Sequence, residues 1–132
     1  MSLVGVKILD LTFTITGDDI TGYRCVYIPA GVTGDDRICA LNTTDVNVPL
    51  GVAQIDDDVT KSEGDQIPVR VAGESRCYAS KAITPGDVVA ATLLGNVTDA
   101  APGAGEWALG IAQVEADDAD DPITVFISRQ RY

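Results

Sequence analysis

The chain repeats itself. Leu50-Gly51-Val52-Ala53-Gln54-Ile55-Asp56-Asp57-Asp58 returns as Leu109-Gly110-Ile111-Ala112-Gln113-Val114-Glu115-Ala116-Asp117. Each copy is followed by an alternating apolar segment, Ile67-Pro68-Val69-Arg70-Val71 and later Ile123-Thr124-Val125-Phe126-Ile127. Gly110 lies 59 residues after Gly51, whereas Ile123 lies 56 after Ile67, so the second copy is three residues shorter within its polar stretch. Extending backwards, Thr21-Gly22-Tyr23-Arg24-Cys25-Val26 aligns loosely with Pro85-Gly86-Asp87-Val88-Val89-Ala90. A repeat of this size sets the architecture before any other signal. Two copies are too few for a solenoid, and they predict one small β-domain made of two related β-units on a shared core.

Composition narrows the class. At 132 residues the chain suits one domain able to bury roughly two-thirds of its unfolded surface. Its apolar residues are Val, Ile, Ala and Leu with few aromatics, punctuated by thirteen Gly, which favours short strands and tight turns. No ten-residue window has helical periodicity, and no run of about eighteen apolar residues offers a transmembrane helix. The N-terminus has no basic region ahead of an apolar core, so no cleaved signal is expected. Cys25, Cys39 and Cys77 sit in apolar runs without metal-ligand spacing and read as free buried thiols of a reducing compartment. The formal charge of −11 repels phosphate backbones, so direct nucleic-acid binding is not expected. The carboxylates gather in turns instead of lining one elongated face, which disfavours an acidic DNA mimic.

Leu9-Asp10-Leu11-Thr12-Phe13-Thr14-Ile15-Thr16 alternates without a fault and is the strongest strand signal. Val4, Val6 and Ile8 alternate too, but in the opposite phase, and a one-residue change of phase flips every side chain to the other face. Either a bulge lies near Ile8 and Leu9, or residues 1–8 form an arm that packs elsewhere. Leu3, Val4, Val6 and Ile8 would then be an apolar strip suited to a foreign strand edge or groove. Further strands are predicted over 23–28, 36–41 (Ile38 and Ala40 inward), 48–55, 67–71, 75–80, 87–92 and 94–98. Two more follow over 106–114 and 123–128. The reading is one arm, residues 1–8, and one β-domain, residues 9–132.

Catalytic chemistry finds little support. Histidine is absent, which removes the commonest general base and metal ligand together. The runs Asp56-Asp57-Asp58 and Asp117-Asp118 with Asp120-Asp121 do not match the register of a calcium loop and read as solvated turns. Ser and Thr lack a base, no Ser-x-x-Lys spacing occurs, and Gly103-Ala104-Gly105 precedes a strand where a phosphate loop needs a helix. No enzyme, cofactor or metal is expected. Trp107, the sole tryptophan, is either core or an interface anchor. Arg129-Gln130-Arg131-Tyr132 is either an exposed terminus or a basic, aromatic contact to an acidic neighbour.

Taken in order, several segments resemble the capsid decoration, or cement, proteins of tailed-phage heads. They are Leu11-Thr12-Phe13-Thr14-Ile15-Thr16, a strand opened by Gly22, Leu50-Gly51-Val52-Ala53, Pro85-Gly86-Asp87-Val88-Val89, Leu109-Gly110-Ile111-Ala112 and Ile123-Thr124-Val125-Phe126-Ile127. Tyr23-Arg24-Cys25 departs from the acidic residue the family usually carries after that Gly, whereas Asp87 keeps it. The resemblance implies an all-β barrel or β-tulip domain with an extended N-terminal arm, trimerising on the outer surface of an icosahedral shell. Its partners would be the major capsid protein and two further copies of itself, with neither nucleic acid nor membrane. The implied contacts are Leu3, Val4, Val6, Ile8, Trp107, Arg129, Arg131 and Tyr132. The competing expectation is a surface-displayed β-module that binds carbohydrate or a host receptor.

Overall fold

A computed structural model describes residues 8–30, 37–43, 48–99 and 107–131. Its strands in the first half are β1 (Leu9–Ile15), β2 (Ile20–Thr21), β3 (Cys25–Tyr27), β4 (Ile38–Leu41), β5 (Pro49–Ala53) and β6 (Thr60–Lys61). The second half has β7 (Gln66–Tyr78), β8 (Val88–Ala91), β9 (Val97–Thr98), β10 (Trp107–Ala112) and β11 (Pro122–Arg131). Among the described residues the only helical element is a 3-10 turn at Leu93–Gly95. The chain is all-β, as its turn-rich, β-branched composition requires.

The first five long strand segments close a barrel. β1 pairs with β4 in parallel, β4 with β3, β3 with β5, β5 with the first half of β7, and that half of β7 returns to β1. The second half of β7 then starts the same circuit again. It pairs with β11, β11 with β10, β10 with β8 and β8 with β9, and a single parallel bridge between Ala79 and Val97 closes the ring. The two segments predicted at 67–71 and 75–80 are therefore one strand of 13 residues, the last of the first barrel and the first of the second.

The repeat is exact in register where the strands carry it. Val52 opposes Arg70 and Ala53 opposes Val69, and the equivalent Ile111 opposes Phe126 and Ala112 opposes Val125. Gln54 donates its backbone N–H to Pro68 at 2.9 Å, and Gln113 donates to Thr124 at 2.8 Å. The three missing residues fall where β2 and β6 form a small ladder in the first unit. In the second unit that ladder shrinks to one bridge, Ile83 to Ala116.

Two corrections concern the alignment and the phase of β4. Gly86 donates to the Ala112 carbonyl just as Tyr23, not Gly22, donates to that of Ala53, and both sit at positive φ, 91° and 58°. Gly22 has a different task, since a Cβ there would lie 2.4 Å from the Ile55 carbonyl oxygen. Matching glycine to glycine thus slipped the alignment by one residue, and the true equivalent of Asp87 is Arg24. In β4 it is Cys39 that is fully buried, while Ile38 and Ala40 are half-buried, because the parallel pairing with β1 sets Cys39 opposite Ile15.

The interior also differs from a single shared core. Phe13, Ile15, Val26, Cys39, Leu50 and Val69 fill the first barrel, and Cys77, Val89, Val97, Leu109, Ile123 and Val125 fill the second. A closed barrel directs alternate side chains onto its own axis, so the inward residues of one cannot reach those of the other. Cys25 and Val52 are the exceptions. They belong to first-barrel strands yet are packed in the second cluster, with no exposed surface. The pairing of β1 with β7 shifts register between Leu9 and Asp10, but the extra residue is Val71 of β7, between their partners Ala72 and Arg70, so the irregularity is on the partner strand. Val4 and Val6, which carry the predicted change of phase, lie outside the described residues.

Gly51 and Gly110 show why the repeated motif needs glycine. A Cβ would lie 2.1 Å from the Arg70 carbonyl oxygen at Gly51 and 1.9 Å from that of Phe126 at Gly110. No side chain fits without moving a backbone that is already hydrogen-bonded. Gly51→Ala and Gly110→Ala are each expected to lower stability by about 1–3 kcal/mol, as overpacking does. Urea unfolding checks this as a lower midpoint at unchanged slope, and equal midpoints would refute it.

Candidate interaction surface

The predicted contact residues divide into two places. Ile8, just before β1, is 55% exposed and its neighbour Leu9, not itself a predicted contact, is 49% exposed, so the first barrel does not enclose them. Trp107 opens β10 opposite Arg131, near the end of β11, and is half-buried, while Arg131 is exposed. Arg129 donates to the Pro49 carbonyl at 3.2 Å and so ties the end of β11 to the start of β5. Leu3, Val4, Val6 and Tyr132 lie outside the described residues. The two places are related through β7, where Leu9 opposes Ala72 and Ile127 opposes the next residue, Gly73. Beyond those pairs the chains diverge: residues before Leu9 head towards the second half of β7, whereas β11 continues past Ile127 paired with β10 as far as Arg131.

Residues that the sequence did not single out form a cationic and aromatic clasp between the barrels. The Arg24 guanidinium stacks 4.6 Å from the centre of the Tyr78 ring and donates to the Asn96 side-chain carbonyl. Arg76 lies 5.6 Å from the Tyr23 ring and 5.5 Å from that of Tyr78, and pairs with Asp57 at 3.3 Å. The Tyr78 hydroxyl donates to Asp57, and burial together with that hydrogen bond raises its phenol above the ordinary range. Nearby, Gly95 donates to the Asn42 carbonyl at 2.9 Å and the Asn42 amide donates to the Thr92 carbonyl at 3.0 Å. Arg24 replaces the acidic residue of the second unit because here it must reach across to the other barrel.

The acidic turns hold backbone. Asp121 accepts from the N–H groups of Asp117 and Asp118 at 3.1 and 3.0 Å, as the equivalent Asp65 accepts from Ser62 at 2.9 Å. Among the described residues no group of three or more acidic or thiol side chains is arranged to hold a metal ion. The thiols are likewise enclosed. Burial pushes Cys39 up to about 11, and a hydrogen bond to Cys25, then burial, push Cys77 well above the usual thiol range.

The outer surface carries apolar side chains that the sequence reading also missed. Ile111 is 46% exposed, and it stands between Val88 of β8 and Phe126 of β11, both half-buried. Val114 nearby is 44% exposed. The signal was present in the repeat: Ile111 occupies the position of Val52, one of the two first-barrel side chains packed into the second cluster.

No protein-family model and no curated protein matches the sequence. Among solved structures, the fold is similar to the head fiber gp8.5 N base of bacteriophage phi29, with a TM-score of 0.66 and 20% identity. The match covers 96% of this chain and 98% of that one. The likeness is one of fold, and it runs through both barrels.

The enclosed thiols lead to a simple expectation. A thiol-specific disulfide reagent at pH 8 should leave the native protein unmodified and titrate three thiols in denaturant, since thiolate is the reactive form. Rapid native modification of any cysteine would contradict the packing described.

Proposed function

We propose that this chain is a structural virion protein that binds the outer surface of an icosahedral phage capsid, as a trimer, and stabilises the shell. The observation that carries the reading is the end-to-end similarity in fold to the base of a phage head fiber. The sequence resemblance to head decoration proteins points the same way from independent features. A pair of fused barrels with buried thiols, and acidic side chains engaged in turns, suits a rigid scaffold better than a catalyst. In this reading residues 1–8 reach onto the shell or a neighbouring trimer, and Trp107, Arg129, Arg131 and Tyr132 supply further contacts. The acidic surface keeps a crowded shell soluble.

A second reading, a displayed module that binds carbohydrate, draws support from an open groove lined by Tyr23, Gln54, Ser75, Arg76 and Thr124. Its tyrosine ring already faces Arg76, which favours the structural role.

Deletion of residues 1–8 tests the capsid reading. Burying four apolar side chains contributes roughly 1.5–3 kcal/mol each before ordering costs take back much of the gain. Multiplied over three arms, the remainder sets residence time through avidity. The truncated protein is expected to melt within a few degrees of the full chain, because Ile8 lies outside both cores. Its affinity for undecorated heads should fall about tenfold or more. Full-length protein that shows no density on heads by electron microscopy would remove the reading, and glycan binding without head binding would favour the second.

A further inference from the structure

Internal symmetry exposes an unused docking face. In the first barrel, Cys25 and Val52 project outward from adjacent strands, opposite one another, and the second barrel covers both completely. Their equivalents in the second barrel, by register, are Val88 and Ile111, also opposed on adjacent strands. Nothing among the described residues covers Ile111. The third member of the row is Arg70 in the first barrel, where it is paired with Asp10 at 2.8 Å, and Phe126 in the second. The row Val-Ile-Phe is therefore apolar throughout, whereas in the first barrel only the two covered members, Cys25 and Val52, are apolar and the third, Arg70, is part-exposed. An outward strand position facing water usually carries polar side chains, so an exposed row of this kind marks a surface that is covered in use.

We propose that the row Val88, Ile111 and Phe126 is the face on which a second copy of this chain docks. The proposal deepens the trimer reading above, on which it rests, by naming the contact. The occupant follows from two features. The equivalent pair of the first barrel is covered by a barrel of this same fold, so this position already receives protein, and not solvent, within the chain. Charge gives the second argument. Two copies each carrying −11 approach only where charge is absent. The shallow depression beside the row is lined by Val88, Ala108, Gly110, Ile111, Ser128 and Gln130, none of them ionised. The carboxylate opposite Phe126, Glu74, is engaged by the Gln113 amide at 3.2 Å. A partner of opposite charge would instead be met by an acidic patch.

Sedimentation velocity on the full chain and on Ile111→Asp tests the assignment, with thermal melting as the control for folding. Wild type should associate at micromolar concentration, and Ile111→Asp should remain folded while needing at least about tenfold more protein to associate. Val52→Asp, at the equivalent covered position, should lose its cooperative melt. If Ile111→Asp fails to fold, Ile111→Thr, which keeps the β-branch, replaces it with the same expected direction. A wild type that stays monomeric at high micromolar concentration overturns the proposal, as does a folded variant that associates like wild type. A monomeric wild type whose Ile111 variants lose binding to heads also overturns it and assigns the face to the shell protein. Trimers that need Ile111 but never bind heads leave the docking face standing and remove the capsid reading instead.

Discussion

The hydrogen-bonded length of β7 is the constraint on which the rest depends. Its first half is held by β1 and β5 and its second half by β11, so one uninterrupted strand belongs to two closed rings. Closing each ring removes the exposed strand edges that a short β-chain would otherwise present. Sharing a strand also fixes the two barrels relative to each other, because a strand cannot change direction between its ladders without losing backbone bonds. Gly73, with φ of 100°, marks the junction where the strand passes from one ring to the other.

The barrels would still meet poorly if the shared strand acted alone. Cys25 and Val52 enter the second cluster from the first barrel, and the Arg24, Arg76, Tyr23 and Tyr78 clasp closes over the polar side of the same junction. Apolar burial supplies the adhesion here, and the guanidinium–ring contacts add direction, each on the order of 0.5–1 kcal/mol at a partly exposed site. The repeat therefore does not give two identical units. Positions equivalent by register diverge wherever one barrel is a neighbour to the other, as Arg24 does from Asp87 and Val52 from Ile111. Such divergence identifies the surfaces that already have a partner and, by contrast, those that do not.

The sequence alone determined the β class, the presence of two related units and the site of the three-residue deletion. Each of these is local: alternation, turn residues and a repeated motif are written within a few neighbouring residues. Tertiary structure decided the remainder. The slipped alignment at Gly22 arose because two glycines serve different ends, close approach in one unit and positive φ in the other, and letters do not distinguish them. The merging of two predicted strands into β7, the inward turn of Cys39, the separation of two cores and the exposure of Ile111 all follow from which strands pair and how the rings close. Those pairings join residues tens of positions apart, and a side chain faces core or solvent only once they are made.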